Sequence, residues 1–247
     1  MNPDMKQRNL FLFLVAGLAC LATMQPLFAE EGKTTDPRLQ GSITQQAVKS
    51  KVAEVEADSG LDEQAKEKLL QLYRKALVNL ETVASNEKSA QAFQYSAKNA
   101  PATIEKLRKQ TDELNADIEK DTLTESMPGT LQEIEQFLQQ EKADLAVQDA
   151  KLLDVEQRLV ENAGRPAIIR QRIPEAKQQQ DDVYSELKLP KASDEDAALS
   201  QARRWVLESR LQLLSAEINM LNQELLSQPL RVDLLEAERD RAEAGIQ

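Results

Sequence analysis

The sequence predicts an all-α protein built of elongated antiparallel helical hairpins, a coiled-coil rod. Three observations lead there. Glycine is scarce, with 7 in 247 residues, where average usage would place roughly 17. Leu, Ala, Glu, Gln, Lys and Arg, all strong helix formers, dominate the chain. Apolar residues recur at alternating steps of three and four, and no stretch alternates as a strand would.

Residues 1–29 read as a signal peptide. Lys6 and Arg8 supply the basic start, Leu10 to Ala19 the apolar run, and Leu27-Phe28-Ala29 the cleavage site. The apolar run is short for a membrane span and is interrupted by Thr23, Gln25 and Pro26. Gly17-Leu18-Ala19-Cys20 also invites a lipoprotein reading, although Gly17 stands where an aliphatic residue is usual. Removing Asp4, Lys6 and Arg8 takes the net charge from −11 to −12. It also removes Cys20, the only cysteine, so helix packing must supply the stability without a disulfide.

Residues 30–41 form a flexible leader, and 42–247 the helical domain. Ser42 opens the first helix, with Gln45 completing a capping box. Val48, Val52 and Val55 line one face until Ser59-Gly60. A longer helix starts near Leu61, with Leu69, Tyr73, Ala76, Leu80 and Val83 on its seam. Pro101 predicts a kink or a break, after which Ile104, Leu107, Leu114 and Ile118 resume the pattern. Residues 122–129, with Met127-Pro128-Gly129, form a turn.

Thr130 and Glu133 make the next capping box. Leu131, Ile134, Leu138, Leu145, Leu152, Val155 and Leu159 then keep heptad register to a stop at Asn162-Ala163-Gly164. A new helix begins at Pro166 and runs through Ile169, Ile173, Ala176, Val183 and Leu187 to Leu189-Pro190. Turns are thus expected at 122–129, 160–166 and 188–193. Ser193 opens the last helix, its Asp194-Glu195-Asp196 complementing the helix dipole. Leu207, Leu211, Leu214, Ile218, Leu221 and Leu225 form the last seam, and shared register on both sides of Pro229 predicts a kinked but continuous helix.

Several chemistries are excluded outright. There is no histidine, so no Ser-His-Asp triad, no Cys-His nucleophile and no histidine metal site. An acidic chain with few basic clusters is a poor nucleic-acid ligand, because phosphate neutralisation supplies most of that affinity. No catalytic, cofactor or metal residue is assigned. Asp194, Glu195 and Asp196 lack the alternating loop of a calcium site. Asp181, Asp182 and Gln178-Gln179-Gln180 read as solvated helix surface. Trp205, beside Arg203 and Arg204, is a stacking platform for a sugar or lipid or, more simply, an anchor between helices. Trp205, Arg204, Pro229 and Arg231 are the structural or interaction residues.

Ala202-Arg203-Arg204-Trp205, Glu224-Leu225-Leu226-Ser227-Gln228-Pro229, Arg231, Asp233-Leu234-Leu235, Ala237 and Arg239-Asp240 carry a resemblance. They resemble the periplasmic porin domain of large MscS-type mechanosensitive channels, as does Gly164-Arg165-Pro166 before an Ile-, Arg- and Glu-Ala-containing helix. The resemblance spans roughly residues 60–243 and is most specific at 202–240. It implies a non-catalytic periplasmic helical module like the N-terminal domain of such a channel, with no pore region in these residues. Implied partners are neighbouring copies, a channel membrane domain and cell-envelope components. The implied location is the periplasm of a Gram-negative bacterium, inner-membrane-associated where the domain is part of a longer channel. The alternative is a free periplasmic coiled-coil adaptor docking on a cell-wall enzyme or envelope complex. A holdase chaperone is disfavoured, since such proteins present a basic cavity and this chain is acidic.

Overall fold

The computed structural model describes residues 42–119, 129–190 and 196–246, all within a compact unit spanning Asp36–Gln247. The signal peptide with Cys20, the leader, and the 122–129 turn except Gly129 lie outside the described residues. Four helices follow in order: α1 (Gln45–Ala57), α2 (Glu63–Glu119), α3 (Leu131–Leu187) and α4 (Ala197–Ala244). Helix accounts for 92% of the described residues, and no strand occurs among them. The predicted all-α class is the class observed. At 57 residues each, α2 and α3 are about 85 Å long.

Short polar side chains set the helix starts. The Thr130–Glu133 capping box forms as expected, with each side chain bonded to the other's backbone N–H. At α1 the cap is Thr44 rather than Ser42: its hydroxyl accepts from the Ala47 N–H at 3.2 Å. Asp62 caps α2, accepting from the Gln64 and Ala65 N–H groups. The cap of α4 is Asp196, which accepts from Ala198 and Leu199. The last helix therefore starts at Ala197, not at Ser193, which with Asp194 and Glu195 lies outside the described residues.

Contacts along each pair fix the directions. Gln45 Nε2 donates to the Leu80 carbonyl at 3.2 Å and Lys66 Nζ to that of Glu56 at 2.8 Å, so α1 folds back antiparallel on α2. Tyr73 meets Trp205, Asn79 meets Ser209 and Gln110 meets Arg241, so α2 and α4 run parallel. Arg172 meets Glu217 and Arg165 meets Glu224, so α3 runs antiparallel to α4. Helix α4 is the shared member, packed against both α2 and α3. One core cluster joins Val48, Val55, Leu69, Tyr73, Ala76 and Leu80 to Ala202 and Val206. A second joins Ala100 and Ile104 to Ala237.

Among the described residues four prolines fall inside helices, while Pro190 lies between α3 and α4. Helix α2 runs through Pro101, α3 through Pro166 and Pro174, and α4 through Pro229. The break allowed for at Pro101 is absent, and the boundary expected at 160–166 is continuous helix. Gly164 and Pro166 cost about 1 and 3 kcal/mol inside a helix. Burial of Val155 and Ile169, at 5% and 1% exposure, returns roughly 1.5–3 kcal/mol each. The charge-assisted bonds of Arg165 to Glu224 add to that. Beside Pro101, burial of Ala100 and Ile104 against Ala237 acts in the same way.

The long α3 seam is only half packed. Val155 is buried, whereas Leu131, Leu138 and Leu145 are 73%, 51% and 43% exposed. Leu131 to Leu159 keep heptad register on one continuous helix, but only the part from Leu152 onward is packed. The cause is length: α4 ends at Ala244, and Gly245 lies beside Gln148 of α3, so residues 131–147 extend past it.

Two outcomes follow from this core. Leu214 is wholly buried and Leu226 is 71% exposed. Leu214→Ala should cost about 2–5 kcal/mol in urea unfolding, and Leu226→Ala less than about 0.5. Burial pushes the Tyr73 phenol up. The unfolded chain then loses that proton first, so stability should fall as pH rises past about 10, the ordinary tyrosine value. A urea midpoint that drops there in the parent and less in Tyr73→Phe is the expected record.

Candidate functional site

The distinctive chemistry of the unit is a charged ladder between α3 and α4. Arg158, Arg165, Arg172 and Gln179 stand seven residues apart on α3. Arg210, Glu217, Glu224, Arg231 and Glu238 stand seven apart on α4. Seven residues are two turns, so each set lies in one row along its helix. Because the helices are antiparallel, a step up one row matches a step down the other.

The central rungs are bidentate. Arg172 donates to Glu217 at 2.6 and 2.9 Å, and Arg165 to Glu224 at 2.6 and 3.0 Å. These bonds raise both guanidinium pKa values above the ordinary arginine range, against a smaller opposing effect of burial. The Glu224 side chain is 6% exposed and Arg165 41% exposed, so the carboxylate is the inner partner. At the far end Arg210 donates to Gln179 at 3.1 Å. Next to it, Gln180 Nε2 donates to Ser215 at 2.7 Å, and Gln180 is buried. Gln179 and Gln180 are therefore interhelical contacts, not the solvated surface expected of them.

The register breaks at Arg231. The rung opposite Arg231 is Arg158, a like charge, and Arg158 reaches past it to Glu238 at 3.3 Å while also pairing with Asp154. Arg231 turns to the Phe93 ring of α2, 5.0 Å from its centre. Its Nε and Nη2 are buried without hydrogen-bond partners. Burial pushes its pKa down; nearby Glu224 opposes this and Arg165 adds to it.

The four residues singled out from sequence occupy separate places. Trp205 is half-buried and meets Tyr73 edge-on, at 5.5 Å and 66°. That is the geometry of an anchor between helices rather than an open platform. Arg204 pairs along its own helix with Glu208 at 2.8 Å. Pro229, 24 residues on from Trp205, is exposed, about 36 Å farther along α4. Only Arg231 joins a multi-helix charge cluster. The ladder itself escaped sequence reading, although the seven-residue spacing of Arg158, Arg165 and Arg172 was visible. Among the described residues no group of three or more His, Cys, Asp or Glu side chains could hold a metal ion. The ladder is equipped to hold two helices in register.

A protein-family profile described as "Mechanosensitive ion channel porin domain" matches residues 51–247. Comparisons with curated proteins and with solved structures found no match.

Removing one partner from the inner rung tests the ladder. Glu224→Gln leaves Arg165 and Arg231 without their shared carboxylate. Loss of a fully buried pair costs about 3–5 kcal/mol, and solvent screening of half-exposed Arg165 brings the expected loss to about 1–3. Arg231→Met removes two orphaned donors and should stabilise by about 1 kcal/mol, after loss of the ring contact. Urea unfolding of both variants measures the two signs.

Proposed function

The chain belongs to the mechanosensitive ion channel porin domain family, and on that premise we propose that it is a non-catalytic periplasmic strut of a large MscS-type channel. The carrying observation is the match across residues 51–247, the stretch that holds most of α1, all of α2, α3 and α4, and the ladder. In this reading the helical unit supplies a stiff element of fixed register, and ion conduction is left to a membrane domain. No helix among the described residues is long and apolar enough to cross a membrane, which agrees with that division. The signal sequence at 1–29 directs export, and the partners are neighbouring copies, the channel's membrane domain and envelope components.

The alternative is a free periplasmic adaptor for a cell-wall enzyme or envelope complex. The exposed apolar residues of α3, Leu131 to Leu145, favour it, because an adaptor needs such a docking face.

Two measurements test the proposal. Alkaline phosphatase fused after Gln247 should be active, since it needs an oxidising compartment; an inactive fusion defeats the periplasmic assignment. Photo-crosslinkers at exposed Val160 and Ile168 should capture a protein with an MscS-type pore, or a second copy, from intact cells. Capture of a cell-wall hydrolase alone would establish the adaptor reading instead.

A further inference from the structure

From the first third of α3, which projects past α4, we infer a docking slot for one kind of partner, a basic amphipathic helix. The inference goes beyond channel membership and stands on geometry and charge alone.

Three features build the slot. The first is continuity with an existing interface. The α3 stripe that packs α4, half-buried Leu152, buried Val155 and half-buried Leu159, extends at heptad spacing through Leu145, Leu138, Ile134 and Leu131. Past Ala244 nothing among the described residues covers it, over about 25 Å of helix. A stripe that continues a helix–helix seam fits another helix in the position α4 has vacated. On the α2 side, Gln110 is level with Arg241, so half-buried Leu114 and Ile118, 45% exposed, also lie past the end of α4.

The second feature is the mouth of the slot. A groove of about 640 Å³ has Leu107, Ala146, Ala150, Val155 and Ala242 in its lining. Its carboxylates Asp154 and Glu238 are already paired to Arg158, and Lys151 and Arg241 also line it, so the groove offers a partner apolar surface while the acids that would attract it lie farther along.

The third is charge. Between Leu131 and Ala150 the helix carries Glu133, Glu135, Glu141, Asp144 and Asp149 against Lys142 alone. The last turns of α2 add Asp112 and Asp117, with Glu113 paired to Lys109. A second copy seated here would bring the same acids against these and be repelled. A helix with an apolar stripe and Lys or Arg on its flanks is complementary in both respects.

The test uses the full chain and a designed peptide of about 21 residues, with Leu at the seam positions and Lys on both flanks. A twin carries Glu on the flanks. Fluorescence anisotropy should show the lysine peptide binding at least about tenfold more tightly than its twin, and weakening as salt rises. Leu138→Glu with Leu145→Glu should reduce binding at least about tenfold, whereas Val160→Glu, at a site 75% exposed elsewhere on α3, leaves it unchanged. Leu138→Gln, checked by circular dichroism, repeats the loss without a new charge. Glu135→Lys with Asp144→Lys should shift preference toward the glutamate twin. Equal affinity for both peptides, or equal binding by the Leu138 and Val160 variants, overturns the proposal. So does a dimer in sedimentation that Leu138→Glu dissolves, which makes the occupant a second copy. Crosslinking that fails to find a channel, with peptide binding intact, would sink the channel assignment and leave this surface standing.

Discussion

Everything in this fold depends on α4 being shared. A helix with neighbours on two sides cannot place all its large apolar residues in one stripe and all its polar ones opposite. Its buried positions accordingly mix large and small: Leu211, Leu214, Leu221 and Leu235 fill space, while Ala202, Ala216, Ala237, Ala242 and Ala244 permit close approach. The buried Ser209 and Ser227 hydroxyls donate to the Val206 and Glu224 carbonyls of their own helix. Ser209 also accepts from Asn79 at 3.0 Å, so a buried polar pair between α2 and α4 is satisfied. Helix α2 and helix α3 gain their places through α4, and α3 is bare where α4 ends.

The same sharing explains why prolines survive within long helices. Pro101 and Pro229 are exposed, so the carbonyls of Ala97 and Leu225 that they leave unbonded lie toward the wetter face. Pro166 is buried, and there the interruption is bracketed by interhelical contacts: Val155 and Arg158 on one side, Ile169 and Arg172 on the other. Asn162 spends its side-chain amide on the Arg158 carbonyl at 2.7 Å. Helix continuity at these points is a tertiary property, enforced by α4.

That is also why the sequence was legible in some places and opaque in others. Period and capping are local, so the heptad seams and the Thr130–Glu133 box could be read directly. Pro229 was legible because its flanks share one register. Asn162-Ala163-Gly164 and Pro166 carry the local signals of a helix end, and what overrides them is Glu224, 59 residues away from Arg165. Gln180 looked like surface for the same reason, its partner Ser215 being 35 residues distant. Ser42 and Thr44 are both competent caps two residues apart, and only the Thr44 bond to Ala47 decides between them. Composition foretold helix, while the pairing of distant charges was written only in the spacing of Arg158, Arg165 and Arg172.

That spacing also answers a problem inherent in long heptad seams. A stripe repeating every seven residues packs nearly as well when one helix slips by seven, so hydrophobic contacts alone set register weakly. The charges oppose the slip. Moving α3 one heptad toward the start of α4 sets Arg172 against Arg210 and Lys151 against Arg231, two like-charged rungs. Moving it the other way takes Arg165 from Glu224 to Arg231 and stretches the connection between Leu187 and Ala197. Arg231 is costly where it sits, with two buried donors unpaired, and it faces a cation in all three registers. What tells them apart is Arg172 meeting Arg210 in one direction and the lost Arg165–Glu224 rung with the stretched connection in the other. The paired charges thereby favour a single register for two helices of 57 and 48 residues, which their heptad seams alone would leave loosely set.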